Sequence, residues 1–148
     1  MKYSFQKWGT GNEGTVYQMG NYVIKIYKKN YHANLSLNEK IKEIDPDRHY
    51  FMWYDIIKPT FVIMNKLKPL KHPKRLTKSQ YRHLQAAMNL LEKHHIFHGD
   101  LPDNVMLDPE TDMPIIIDFD RGHLQATRGE LDMDRIAFLQ HFAKEKTH

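Results

Sequence analysis

Apolar and polar residues alternate at short range through the first third of the chain, and the period lengthens after it. Tyr3 to Trp8, Thr15 to Met19 and Tyr22 to Tyr27 are rich in aromatic and β-branched residues, with Gly9, Gly11, Gly14 and Gly20 between them. That is the pattern of strands joined by tight turns. Leu37, Ile41 and Ile44 then recur at i, i+4 and i+7, predicting a short helix that Asp45-Pro46 stops and that the S-x-x-E pair Ser36 and Glu39 opens. Two further strands are predicted, Phe51 to Ile57 and Thr60 to Leu67, split by Lys58-Pro59.

A lysine-rich, proline-containing connector with Lys66, Lys68, Lys71, Lys74, Arg75 and Lys78 follows, and reads as a solvated face. Beyond it, Thr77 and Gln80 form a T-x-x-Q start, and Tyr81, Leu84, Met88 and Leu91 make one buried stripe of a long helix. His98 to Asp103 is a polar loop, Val105 to Leu107 and Pro114 to Phe119 a small hairpin, and Leu131, Ile136, Phe138, Leu139 and Phe142 the apolar positions of a final helix. Strands precede helices, which predicts an α+β fold with a cleft between its halves.

Composition narrows the class. The 148 residues are 41% hydrophobic and 27% charged, enough for one adequate core and marginal for two. The absence of cysteine excludes a disulfide scaffold, thiolate catalysis and thiolate metal sites. A net charge of +4 is a weak signal for an anionic partner, short of a dedicated nucleic-acid binder. No cleavable signal peptide and no run approaching the ~20 apolar residues of a membrane span is visible, so a soluble chain without a membrane partner is expected. The ten histidines, His94, His95 and His98 among them, place no H-x-x-x-H or H-E-x-x-H pair on a predicted helix, and read as solvated or core residues rather than metal ligands.

Three segments carry chemistry. Gly9-Thr10-Gly11-Asn12-Glu13-Gly14-Thr15-Val16 satisfies G-x-G-x-x-G-x-V between two strands, the context of a flap over nucleotide phosphates. Lys25 lies inside the apolar strand Val23 to Tyr27, either on the solvent face of an edge strand or turned inward, where an ammonium needs an acidic partner. Glu39 is the favoured partner and Glu43, one turn later, the fallback. His98-Gly99-Asp100-Leu101-Pro102-Asp103-Asn104 and Ile115-Ile116-Ile117-Asp118-Phe119-Asp120 complete the set. One carboxylate to orient an acceptor hydroxyl, with an Asn and a second carboxylate to grip Mg²⁺, is what phosphoryl transfer from ATP requires.

With these motifs in this order, the chain resembles a very small member of the protein-kinase-like superfamily. The resemblance implies a minimal bilobal fold in one domain, 1–148. Residues 1–67 would form an N-lobe with a five-stranded antiparallel sheet plus helix C, and residues 68–148 a truncated helical C-lobe. It implies ATP and Mg²⁺ as cofactors. Gly9, Gly11, Gly14 and Val16 match the glycine-rich loop, Lys25 the strand lysine, and Glu39 the helix-C glutamate. Met64 falls at the gatekeeper position, with the Asn65 and Leu67 backbone as base partners. Asp100 matches the catalytic aspartate, Asn104 and Asp118 the metal ligands, and His98 a structural support. Asp134 matches the helix-F aspartate that braces the catalytic loop, with Asp132 the competing choice.

Departures from the family pattern shape the expectation. Asp100 and Asn104 are four apart, one short of the usual spacing, and the deletion removes the basic residue before the proline. Gly99 replaces an arginine that receives an activation-loop phosphate, and Asp120 replaces the glycine of D-F-G. The short stretch from Arg121 to Leu131 and the absence of A-P-E resemble the minimal kinases delivered as bacterial type III effectors. The implied protein is a monomeric Ser/Thr protein kinase without activation-loop control. It would be cytoplasmic or, as an effector, secreted into the host cytoplasm to act on a host protein that helps complete the site. A small-molecule kinase similar to antibiotic phosphotransferases and a non-catalytic kinase-like binding module are the alternatives.

Overall fold

A computed structural model describes residues 6–10 and 13–146. Gly11 and the start of the strand predicted from Tyr3 lie outside them. Strands β1 (Gln6–Thr10), β2 (Gly14–Met19) and β3 (Tyr22–Tyr27) form a meander. With β4 (Ile56–Lys58) and β5 (Phe61–Asn65) they make an antiparallel sheet of order β1-β2-β3-β5-β4. Gly20, at φ +58°, supplies the left-handed conformation that the tight β2–β3 turn demands. A side chain at Gly14 would put its Cβ 2.3 Å from the Ile26 carbonyl oxygen, so this glycine is required by close strand approach.

Helix α1 (Leu35–Ile44) buries Leu37, Asn38 and Ile41. Its N-cap is Asn34, whose side chain accepts the Leu37 N–H at 3.2 Å, and not Ser36. The asparagine wins because its amide NH₂ also donates to the Gly122 carbonyl at 2.9 Å, tying the helix start to the far half of the molecule. At the other end, buried Asp45 accepts the N–H groups of His49, Tyr50 and Phe51 at 2.8–2.9 Å.

The strand predicted over Phe51 to Ile57 is regular only at Ile56–Lys58. Its first part bonds elsewhere: Met52 N–H donates to the Ile116 carbonyl at 3.0 Å, and Ile116 N–H to that of Tyr50 at 2.9 Å. Ile116 belongs to a second sheet, β6 (Lys68–Pro69), β7 (Val105–Leu107) and β8 (Pro114–Ile116), in that order. β8 stops at Ile116, three residues before the predicted end, because Ile117 N–H turns to the Asn104 carbonyl.

Helices α2 (Lys78–Lys93) and α3 (Arg128–His141) both begin with full capping boxes, Thr77/Gln80 and Thr127/Glu130. Leu84, Met88 and Leu91 are buried along α2, while Tyr81 is half-buried. In α3 the buried stripe is Leu131, Asp134 and Phe138, continued by Phe142. Ile136 and Leu139, expected in the core, are 51% and 59% exposed, because the inward position between Leu131 and Phe138 is taken by the carboxylate of Asp134. No helix among the described residues is long and apolar enough to cross a membrane.

Candidate active site

Between the two sheets lies a cavity of about 370 Å³, within the range of ligand pockets. Val16, Val23, Val62, Met64, Met106 and Ile117 give it apolar walls, and Lys25, Asp100, Asn104, Asp118, Glu13 and Arg121 line it with charge and amide. Antiparallel pairing explains the upper wall, since β2, β3 and β5 place Val16 opposite Lys25, Lys25 opposite Val62 and Val23 opposite Met64. Gly14 also borders the cavity. Gly9 pairs with Val16 in β1. Asn65 and Leu67 are not among the lining residues; Leu67 is buried and Asn65 pairs with Tyr22.

The lower wall is held by Asp134. Its two carboxylate oxygens accept the backbone N–H groups of His98 at 2.8 Å and Gly99 at 3.0 Å. Asp132 instead meets the Arg128 guanidinium on the surface at 2.8 Å. Burial pushes the Asp134 carboxyl above its ordinary value, and the two backbone bonds oppose that push. His98 is fully buried; its Nε2 meets the Ile117 carbonyl at 2.7 Å and its Nδ1 accepts the Asp100 N–H at 3.1 Å. Gly99 has φ +84°, and a Cβ there would lie 2.9 Å from the Phe97 ring, so this position favours glycine over any residue with a side chain.

Asn104 donates its side-chain NH₂ to the Asp100 carbonyl at 2.7 Å, closing the shortened loop on itself. Asp118 sits at φ +58°, a strained backbone for a non-glycine residue that is enriched at functional sites. Phe119 packs edge-on against Phe51 and His98 at 5.6 and 4.9 Å, anchoring the D-F-D triplet in the core.

The Lys25 ammonium is the electrostatic centre. It lies 3.1 Å from Asp120, 3.4 Å from Asp118 and 3.4 Å from Glu13. Burial lowers its pKa, but the fields of Asp118, Asp120 and Glu13 outweigh burial and hold it above its ordinary value. Glu39 is exposed and does not contact Lys25; Glu43, also exposed, pairs with Lys40 at 3.7 Å. The predicted partner is corrected because α1 turns Leu37, Asn38 and Ile41 inward, which carries Glu39 to the outer face.

Sequence reasoning passed over Glu13 and Arg121. Glu13 accepts from both Lys25 and Arg121, clasping the glycine loop to the segment after Asp118. Glu13, Asp118 and Asp120 bring carboxylate oxygens within 4.8 Å of one another, a hard-oxygen set of the kind that suits Mg²⁺, and Asn104 borders the same cavity.

No protein-family model matches the sequence, and no curated protein does. The fold does match solved structures, among them the kinase PK-1 of Cydia pomonella granulovirus, with a TM-score of 0.59 at 18% identity. The match covers 83% of this chain and 53% of the viral kinase, so the chain spans about half the length of that protein. The chain has a protein-kinase-like fold.

Proposed function

We propose that the protein is an ATP-dependent phosphotransferase acting on Ser or Thr hydroxyls of a protein substrate. The observation that carries this reading is the convergence of Lys25, Asp100, Asn104 and Asp118 on one apolar-walled cavity beneath the Gly14 turn. Val16, Val23, Met64 and Met106 offer a slot for a flat base, and Lys25 a cation for phosphates. Asn104 and Asp118 are the residues to hold Mg²⁺, with Glu13 and Asp120 close by. Bound there, the metal would neutralise charge on the phosphates.

The chain's own residues do the rest. Asp100, at the cavity wall, accepts a hydrogen bond from the acceptor hydroxyl and aims it for in-line attack. The Asp134 bonds fix the loop that carries it, so positioning costs no reorganisation during the reaction.

Titration with Mg·ATP and labelling of a cell lysate with radiolabelled ATP test the reading. Asp100→Ala is expected to cut transfer by roughly 10²–10⁴-fold while leaving nucleotide affinity nearly unchanged. Lys25→Ala is expected to weaken both, and Asp118→Ala to abolish the metal dependence of binding. Equal labelling by wild type and Asp100→Ala would overturn the assignment.

A further inference from the structure

Helix α1 presents no carboxylate to Lys25. The inward position beside Glu39 is Asn38, and its amide oxygen is already committed to the Tyr54 N–H at 2.9 Å. Three carboxylates nevertheless surround the ammonium, and they are not equivalent. Glu13 and Asp118 line the cavity, where ligand phosphates can displace them from Lys25 or a metal can draw them away. Asp120 is not among its lining residues; its side chain is only 5% exposed and borders a separate pocket beside Asn34.

Asp120 is also the most firmly held of the three. Its Oδ2 receives Lys25 at 3.1 Å, the Tyr27 hydroxyl, and the Tyr54 hydroxyl at 3.5 Å. Its Oδ1 faces the Asn34 N–H at 3.5 Å, at the N-terminus of α1, where the helix dipole favours an anion. Tyr27 and Tyr54 are themselves buried. A carboxylate removed from water at this cost is retained only with its partners in place.

We propose that Asp120 is the positioning residue for Lys25, doing from the D-F-D triplet what the resemblance assigns to Glu39. Asp120 acts through Lys25; were it instead a ligand of the metal in the Glu13–Asp118–Asp120 set, Asp120→Asn would weaken Mg·ATP binding as much with Lys25 replaced as with Lys25 present. The proposal rests on the phosphotransferase reading for the identity of the ligand that Lys25 meets, and on this structure alone for the pairing.

Two arms separate those premises. The first needs no nucleotide: unfolding midpoints are measured for Lys25→Met, Asp120→Asn, Glu39→Ala and the corresponding double variants. Lys25→Met with Asp120→Asn is expected to lose clearly less than the two single losses added together, while Lys25→Met with Glu39→Ala is additive. Additivity of the first pair, or coupling in the second, overturns the proposal. The second arm titrates each full-length variant with Mg·ATP. Asp120→Asn is expected to weaken binding by about tenfold or more, Glu39→Ala by less than about twofold, and Asp120→Asn to add almost nothing once Lys25 is Met.

A fold defect alone would lower the active fraction without moving the dissociation constant, so an unchanged constant in Asp120→Asn also overturns the proposal. Should Asp120→Asn not fold, Tyr27→Phe removes one hydroxyl from the same carboxylate and is expected to shift affinity in the same direction by a few fold; no shift counts against it. Failure of the wild type to bind Mg·ATP would sink the phosphotransferase reading, while the first arm still decides the pairing.

Discussion

His98 occupies a site that accepts only one protonation state. Nε2 must carry the proton to bond the Ile117 carbonyl, and Nδ1 must be bare to receive the Asp100 N–H. Burial accordingly lowers its pKa from the ordinary 6.5. Below that value the unfolded chain binds a proton that the folded chain refuses, so stability is lost as pH falls through 6.5 toward the folded pKa. The slope is at most about 1.4 kcal/mol per pH unit from this group. Unfolding midpoints measured from pH 7.5 to 5 are expected to fall more steeply for wild type than for His98→Gln; parallel profiles would refute the assignment. At this scale the sequence was readable where chemistry is local in the chain. His98, Asp100, Asn104 and Asp118 stand within two short stretches whose resemblance to a family motif singles them out, and the structure brings Asp100, Asn104 and Asp118 to one cavity. Glu13 and Asp120 did not, because their partner Lys25 lies 12 and 95 residues away and only the folded sheet brings them to it.

Among the elements, α1 shows how a correct helix can be opened by the wrong residue. Ser36 and Glu39 satisfy a capping pattern, yet the helix begins one turn-fraction earlier on Asn34, whose amide serves Leu37 and Gly122 together. Asn34→Ala is expected to cost about 1 kcal/mol for the cap and a further ~1 kcal/mol for the lost Gly122 bond, read by chemical denaturation. Ser36→Ala should stay within about 0.5 kcal/mol. Long periodic elements such as α2 were legible from their stripe and T-x-x-Q start. β6 was not, since its two residues, one a proline, acquire strand character only by pairing with Leu107 and Met106. Ile136 and Leu139 misled for the opposite reason: an apolar residue on a helix reads as core until a buried carboxylate, here Asp134, claims the inward stripe.

For the molecule as a whole, the order of motifs foretold a cleft, and the structure forms one between the two sheets. What joins them was invisible in sequence. Phe51 is fully buried, touches Phe119, and lies in the segment that pairs with Ile116. Phe51→Ala is expected to cost about 3–5 kcal/mol and to lower the unfolding midpoint in one cooperative step, monitored together by circular dichroism and tryptophan fluorescence. Separate transitions would mean that the halves fold independently. Tyr50 and Met52 are stitched to Ile116 as well. The halves are also joined by the chain where β5 leads through Leu67 into β6. Behind the cavity the two walls are tied again, by Asn34 to Gly122 and by Lys25 to Asp120, whereas at its rim the tie is the Glu13–Arg121 pair, whose guanidinium is half exposed and so the one that salt and solvent reach first.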